Sequence, residues 1–554
     1  MREQNAMVSS RFSAIATTLA LVLIGITSLA QPVWARETLP SAQQPEQSIQ
    51  PYLERFSKGI TEFTLENGLK FIVLERHQSP TIAFHTYADV GGVDEPDGQT
   101  GVAHYLEHLA FKGTERIGTT DYTAEKPLLE KLDQLFDQIQ VAKAKGETET
   151  AAQLQAEFNQ VSEQAAGYVK QNEMGQLVNQ FGGVGLNATT SSDATRYFYS
   201  LPSNKLELWM SMESERFLQP VFREFYKEKE VILEERRLRT DNSPIGQMIE
   251  AFLDTAFTTH PYRRPVIGYA KDLRTLTRQN VQDFYDTHYG PSNLTIAIVG
   301  DVKPKQVKRL AKAYFGQYTA KAKPPRVTTV EPKQTEPRSV TRYLDTQPWY
   351  LEGFHRPDIT DPDNAVYDMI GSLLSRGRTS RLYKSLVETQ QVALSAQGGG
   401  SFPNDKYPNL MLFYALTAPG HTVDDVGTAL EQEINRLKTE QVTAAELERV
   451  KTQARAGLLR SLRSNGGMAS LLTSYEVKTG SWQNLFAELD KIAAVTTEDV
   501  QRVAQATFTP ENRTVGRLLS TAQKPQAKSD ETQKEGDKGE TVQGEIPSPN
   551  QPTK

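Results

Sequence analysis

The chain contains no cysteine. Disulfides, thiolate metal sites and cysteine nucleophiles are thereby excluded together, and any metal ion must be held by His, Asp or Glu. Histidine is scarce as well, eight in 554 residues, so a pair at metal-binding spacing stands out. Neither sign of charge dominates: 62 Lys and Arg against 68 Asp and Glu leave a net charge of -6, which favours neither nucleic acid nor an anionic membrane surface. With 38% hydrophobic residues the chain can nevertheless bury substantial cores, and its length calls for at least two domains.

Long apolar runs are nearly missing. The exception, about Ala14 to Ala30, follows Arg2 and Arg11 and precedes Val33-Trp34-Ala35, a small-x-small site, so residues 1–35 read as a signal peptide. The run sits at the margin of the ~20 apolar residues that a span needs, and Gly25, Thr27 and Ser28 dilute it. An exported chain with no stable span after cleavage is expected, most simply in a periplasm. Residues 36–54 form an extension. Residues 521–554 carry almost no aliphatic and no aromatic side chain and are expected to be disordered.

A polar, Pro-punctuated stretch, 319–338, divides residues 55–318 from residues 339–520. The two parts are related. Thr277, Val281, Gln282, Pro291, Asn293 and Thr295 recur as Thr496, Val500, Gln501, Pro510, Asn512 and Thr514 at one constant offset of 219. A helix over Arg278 to His288 and a buried strand over Leu294 to Val299 are predicted in the first copy. The fold class is therefore α+β, built as two homologous α+β domains. Residues 127–171 have no counterpart in the second part. There, Leu128, Leu132, Leu135, Phe136 and Ile139, then Leu154, Phe158, Val161 and Ala165, predict an inserted helical hairpin turning near Gly146.

His104-Tyr105-Leu106-Glu107-His108 lies in an apolar-periodic stretch from Val102 to Phe111, which ends at Lys112-Gly113 as a helix C-terminus should. Positions i and i+4 share a helix face, so His104 and His108 can bind one zinc ion through their imidazoles. Glu107 shares that surface and is placed to take a proton from water without being a ligand. A third ligand has to come from elsewhere, and Glu234 and Glu235 are equal candidates on the carboxylates alone.

The stretch GVAHYLEHLAFKGTERIGTTDY resembles the active-site helix of the M16 metallopeptidases, which include pitrilysin, insulin-degrading enzyme and the mitochondrial processing peptidase. The resemblance runs from about Phe63 to Leu519 and is strongest in the first half. It implies two domains of the M16 metallohydrolase type, Glu235 as the third ligand of one zinc per chain, and Glu228 as an auxiliary carboxylate. It also implies that Asn187, Ala188 and Thr189 lie on a strand whose edge takes substrate, a mode that binds extended peptides with little regard to sequence. His260-Pro261-Tyr262 is assigned a structural role.

The activity implied is a zinc endopeptidase acting on extended or unfolded peptides. The competing readings are a non-catalytic scaffold subunit and a metal-storage or metal-sensing module. One departure bears on partners. Where the family carries an Arg and, seven residues on, a Tyr that steady the oxyanion, this chain has Val387 and Leu394. A heterodimer with a second M16-like subunit that carries the Arg/Tyr pair is therefore expected, with Arg381 and Tyr383 read as surface residues of an amphipathic helix.

Overall fold

A computed structural model of the chain describes residues 56–524. The expected signal peptide, the extension up to residue 55 and the tail beyond residue 524 lie outside the described residues. Among the described residues no helix is long and apolar enough to cross a membrane.

The first sheet has six strands, β1 (Ile60–Thr64), β2 (Lys70–Glu75), β3 (Thr81–Ala88), β4 (Val184–Thr190), β5 (Thr195–Pro202) and β6 (Leu294–Gly300), in the order β1-β2-β6-β3-β5-β4. The second has five, β7 (Arg338–Leu344), β8 (Trp349–Arg356), β9 (Ala393–Phe402), β10 (Asn409–Thr417) and β11 (Arg513–Ser520), in the order β7-β11-β8-β10-β9. Without β1, the two orders superpose strand for strand. In each, the first strand pairs parallel with the last and the remaining neighbours are antiparallel. The fold is thus two α+β units of one topology. The recurring corner has its physical cause in a cap: Thr277 with Asn280, and Thr496 with Asp499, form capping boxes that start helices Arg278–His288 and Thr497–Thr507.

Helix α1 (Val102–Leu109) bears the His pair; α2 (Tyr122–Lys145) and α3 (Thr148–Ala166) form the hairpin; α4 (Phe225–Arg236) bears Glu228 and Glu235; α5 (Pro244–Ala256) follows it. The hairpin turns at Gly146, whose φ of 74° is easy only for glycine. Its first helix begins at Tyr122, five residues before Pro127, because the Asp121 carboxylate caps Ala124 N at 3.2 Å. Leu129, Leu132, Leu135 and Val161 make a small core of their own, against which Tyr226 of α4 packs.

The halves exchange helices. Helix α5 of the first half lies on β7 and β11 of the second sheet, and a sixth helix, α6 (Asn465–Thr479), lies on β3 and β6 of the first. Strands and helix come close beneath α5 at two glycines, where a Cβ on Gly516 would stand 2.5 Å from the end of the Met248 side chain and one on Gly353 2.9 Å from the Phe252 ring. Covered on both faces, β6 buries all seven of its residues, which is why its sequence is a continuous apolar run. The Pro-punctuated stretch before β7 has no helix or strand, yet it is tied down: the Glu331 carboxylate accepts from the backbone of Thr258, Thr259 and His260, and Gln334 donates to Arg513 O.

Candidate metal centre

Helix α1 starts at Gly101, where φ is 90° and a Cβ would meet Ile267 O at 2.8 Å. The buried Glu95 carboxylate accepts from Gly101 N and Ala103 N, both at 3.0 Å, and so supplies the acceptors that the helix end requires. Tyr105 and Leu106 point into the core, and the Tyr105 hydroxyl donates to Phe225 O, which locks α1 against the start of α4. One helical turn apart, His104 and His108 then face α4 with ring centroids 4.7 Å apart.

Glu235 Oε2 stands 3.8 Å from His104 Nε2 and 3.5 Å from His108 Nε2. Two ligand atoms of a tetrahedral zinc are about 3.4 Å apart for bond lengths of about 2.0 to 2.1 Å, so these three atoms fit one ion. The second Glu235 oxygen, Oε1, is held by Arg239 Nη1 at 2.8 Å, which leaves a single oxygen for the histidines. His104 Nδ1 is buried without a hydrogen-bond partner, and its Nε2, which faces Glu235, is beyond hydrogen-bond reach of it, so Nε2 is the nitrogen left open to a cation while Nδ1 keeps the proton. Glu234 points outward, half-exposed and paired with Arg237 at 2.7 Å.

The two imidazoles differ electrostatically. Burial, with the nearby His108 and Arg239 charges, holds the His104 imidazole down at about 3, so it is neutral as a ligand must be. Burial acts the same way on His108, but the Glu228 carboxylate, 2.8 Å from its Nδ1, together with Glu235 and Glu107, outweighs it and raises this pKa. A metal ion would therefore compete with a proton at His108. Although burial opposes it, contact with His108 and with Lys112 Nζ, 2.6 Å away, keeps Glu228 ionised with a pKa of about 2. This carboxylate fixes Nδ1 as the donor nitrogen and so aims Nε2 at Glu235.

Glu107 is not part of the three-ligand cluster among the described residues. Burial raises its pKa, while the Thr190 hydroxyl, donating to Oε2 at 2.6 Å, opposes that rise. An ionised carboxylate is acceptor-only and, so placed, can take a proton from water. Beside it lies a cavity of about 340 Å³ lined by Glu107, His108, Phe111, Lys170, Asn172 and Asn187 among others. Strand β4 closes one end of the six-stranded sheet, so among the described residues its outer edge has no strand partner; Asn187 and Thr189 are exposed on it and Ala188 is buried. The return from the hairpin, 169–172, forms one wall of that cavity.

The structure thus brings His104, Glu107, His108, Glu228 and Glu235 together, with Asn187 on the wall of the adjoining cavity. Sequence reasoning placed Thr190 only beside Thr189 on the substrate strand, without its bond to Glu107, and gave no role at the site to Lys112 or Arg239. Arg239 had a signal, its i+4 spacing from Glu235, whereas Thr190 reaches Glu107 only through the tertiary fold. Two expectations for the second half need correction. Arg381 is not a surface residue: it is buried, and its guanidinium bonds the Glu446 carboxylate at 3.1 and 3.2 Å. Tyr383 begins a π-helical turn, Tyr383–Thr389, in place of a regular amphipathic helix, and its hydroxyl accepts from Arg378 Nε at 3.2 Å. A cavity of about 830 Å³ lies in this half against β9, and no histidine lines it.

Residues 71–132 and 160–269 match the family described as insulinase, peptidase family M16, and residues 275–454 match the peptidase M16 inactive domain. The gap in the first match, 133–159, falls within the helical hairpin. Zinc protease PqqE of Helicobacter pylori is 28% identical over 458 residues, covering 80% of this chain and 89% of that protein. A crystal structure of a protease from Helicobacter pylori superposes with a TM-score of 0.71 and 26% identity over 83% of this chain and 99% of that one. The periplasmic protease PqqL from Escherichia coli shares the fold, with a TM-score of 0.62 and 18% identity over 83% of this chain and 48% of that one.

Proposed function

This chain belongs to the M16 peptidase family, and we propose that it is a zinc-dependent endopeptidase hydrolysing extended or unfolded peptides. The observation that carries the proposal is the convergence of His104 Nε2, His108 Nε2 and Glu235 Oε2, with Glu107 beside them and outside the ligand set. His104, His108 and Glu235 would hold one zinc per chain. When bound, the ion supplies Lewis acidity that polarises the scissile carbonyl and makes water acidic enough to lose a proton near neutral pH.

The chain's own groups do the rest. The exposed edge of β4 binds the substrate backbone as an added strand, with Asn187 and Thr189 alongside it. Glu107 accepts the proton from the attacking water and returns it to the leaving amine. Glu228 orients His108. An exported location is supported by the signal-like sequence at residues 1–35 and by the fold shared with a periplasmic protease. Val387 and Leu394 cannot donate hydrogen bonds from their side chains, which supports a heterodimer in which a second M16-like subunit provides the Arg/Tyr pair.

Glu107→Gln tests the central assignment. The amide keeps the shape and loses the proton acceptor, so zinc is expected to stay at one per chain while turnover of an unstructured peptide falls at least ~10²-fold. Near-normal turnover would take the role from Glu107 and pass it first to Glu228.

A further inference from the structure

Glu107 owes its position to residues far from the metal centre. The Thr190 hydroxyl that donates to Glu107 Oε2 is the last residue of β4, and it stands directly before the turn Ser191–Ala194 that leads into β5. The Thr190 hydroxyl also lies 3.5 Å from that of Thr195, which donates to Val90 O at 3.1 Å. The turn is braced from the first half where Gly92 N and Val93 N donate to Ser191 O and Ser192 O.

The remaining supports come largely from the second half. Asp193 at the tip of the turn is fully buried. Its Oδ1 accepts from the Tyr262 hydroxyl at 2.7 Å and its Oδ2 from Lys406 N at 3.0 Å. Lys406 belongs to the loop 403–408 between β9 and β10. In the same loop, the Asn404 amide, turned so that all its groups are satisfied, accepts from Ser192 N at 3.2 Å and Asp193 N at 3.3 Å. The Lys406 ammonium, on a side chain 9% exposed, pairs with the buried Asp89 carboxylate just past β3. Each carboxylate oxygen of Asp193 thus has a donor, and one of the two donors is a backbone group of the other half.

We infer that Asp193 and the loop 403–408 are positioning elements for the base: they fix the Ser191–Ala194 turn and, through it, hold Thr190 against Glu107. This rests on the reading of Glu107 as the base. The second half then contributes to turnover without touching the reacting atoms. Misplacing a reacting group by 1 Å can cost roughly 10²-fold in rate, so a strut of this kind has a measurable effect.

The test uses the full chain in whichever assembly turns over a quenched, unstructured peptide. Thr190→Val removes the hydroxyl at constant shape, Thr190→Ser restores it, and Asp193→Asn takes away one of the two carboxylate acceptors, so that either the Tyr262 hydroxyl or Lys406 N faces an amide N–H2. Thr190→Val and Asp193→Asn should each lower kcat about 10- to 100-fold, on the scale of such misplacement, with KM within about two-fold and zinc unchanged. Thr190→Ser should recover most of the loss. Because both act on one contact, the double variant should be scarcely slower than the worse single one. Independently of activity, Asp193→Asn should speed amide hydrogen exchange across 190–194 by about ten-fold or more, since it releases the turn. Additive losses, a change confined to KM, or unaltered exchange would overturn the inference. If Glu107→Gln abolishes turnover while Thr190→Val leaves kcat intact, this inference alone fails; if Glu107→Gln leaves turnover intact, the underlying reading fails.

Discussion

Glu228 Oε1 lies 2.8 Å from His108 Nδ1, on the ring nitrogen opposite the one that faces Glu235. A carboxylate behind a ligating imidazole fixes its tautomer and strengthens it as a donor, and removing such a partner typically costs ~10- to 100-fold in metal affinity. Glu228→Gln is therefore expected to weaken zinc binding by that factor in a chelator competition, with the fold unchanged. Affinity equal to that of the unaltered chain would show that Lys112, not His108, is the partner that matters for Glu228.

The exchange of α5 and α6 makes the halves interdependent. Residues 55–318 alone would lose α6 from β3 and β6 and would expose the face of α5 that covers β7 and β11. Met248, Phe252, Leu351, Leu412 and Leu518, one buried cluster drawn from both halves, would come apart. The isolated half should show no cooperative thermal transition, and refolding both halves together should restore one. A cooperative transition and zinc binding in the isolated half would contradict this.

Glu446 supplies a pH dependence whose sign is fixed. Burial alone would raise its pKa, but the Arg381 guanidinium and the Thr443 N–H and hydroxyl outweigh it and hold it at about 2, against an ordinary 4.5. Between those values the folded chain binds fewer protons than the unfolded one. The contribution is therefore complete above about 4.5 and is lost as pH falls through about 2. Glu446→Gln should lower Tm near neutral pH, and the gap to the unaltered chain should close as pH drops from about 4.5 towards 2. A gap that persists at the acid end would assign the loss to the cap rather than to the charge.

What the sequence made legible was local. The His pair is readable from i, i+4 spacing, the corner helices from their Thr caps, and the hairpin turn from Gly146, because each is set within a few residues. The choice of Glu235 over Glu234 was not, since two adjacent carboxylates on a charged helix differ only in which way the helix is rolled against α1. Thr190 against Glu107 and Lys406 against Asp193 join residues 83 and 213 positions apart, and no periodicity encodes such pairs. The exchanged helices are invisible for the same reason: an amphipathic helix announces that it has an apolar face, not which sheet will cover it.

Neither Val387 nor Leu394 offers an oxyanion a side-chain donor. Val387 is half-buried against the core of its own domain, and Leu394 stands 49% exposed on β9, the edge strand of the second sheet. The two nearest candidates to replace an Arg/Tyr pair are otherwise engaged, Arg381 by Glu446 and Tyr383 by Arg378. Loss of an oxyanion donor typically costs ~10² to 10³ in rate. The chain by itself should accordingly bind zinc and cleave peptides slowly. Adding a second M16-like subunit with an Arg and, seven residues on, a Tyr should raise kcat by about the same factor, and replacing that Arg by Ala in the added subunit should abolish the gain. Fast cleavage by a verified monomer or homodimer, indifferent to any added subunit, would mean that a donor within this chain serves the oxyanion, and Arg239, already beside Glu235, would be the first to substitute.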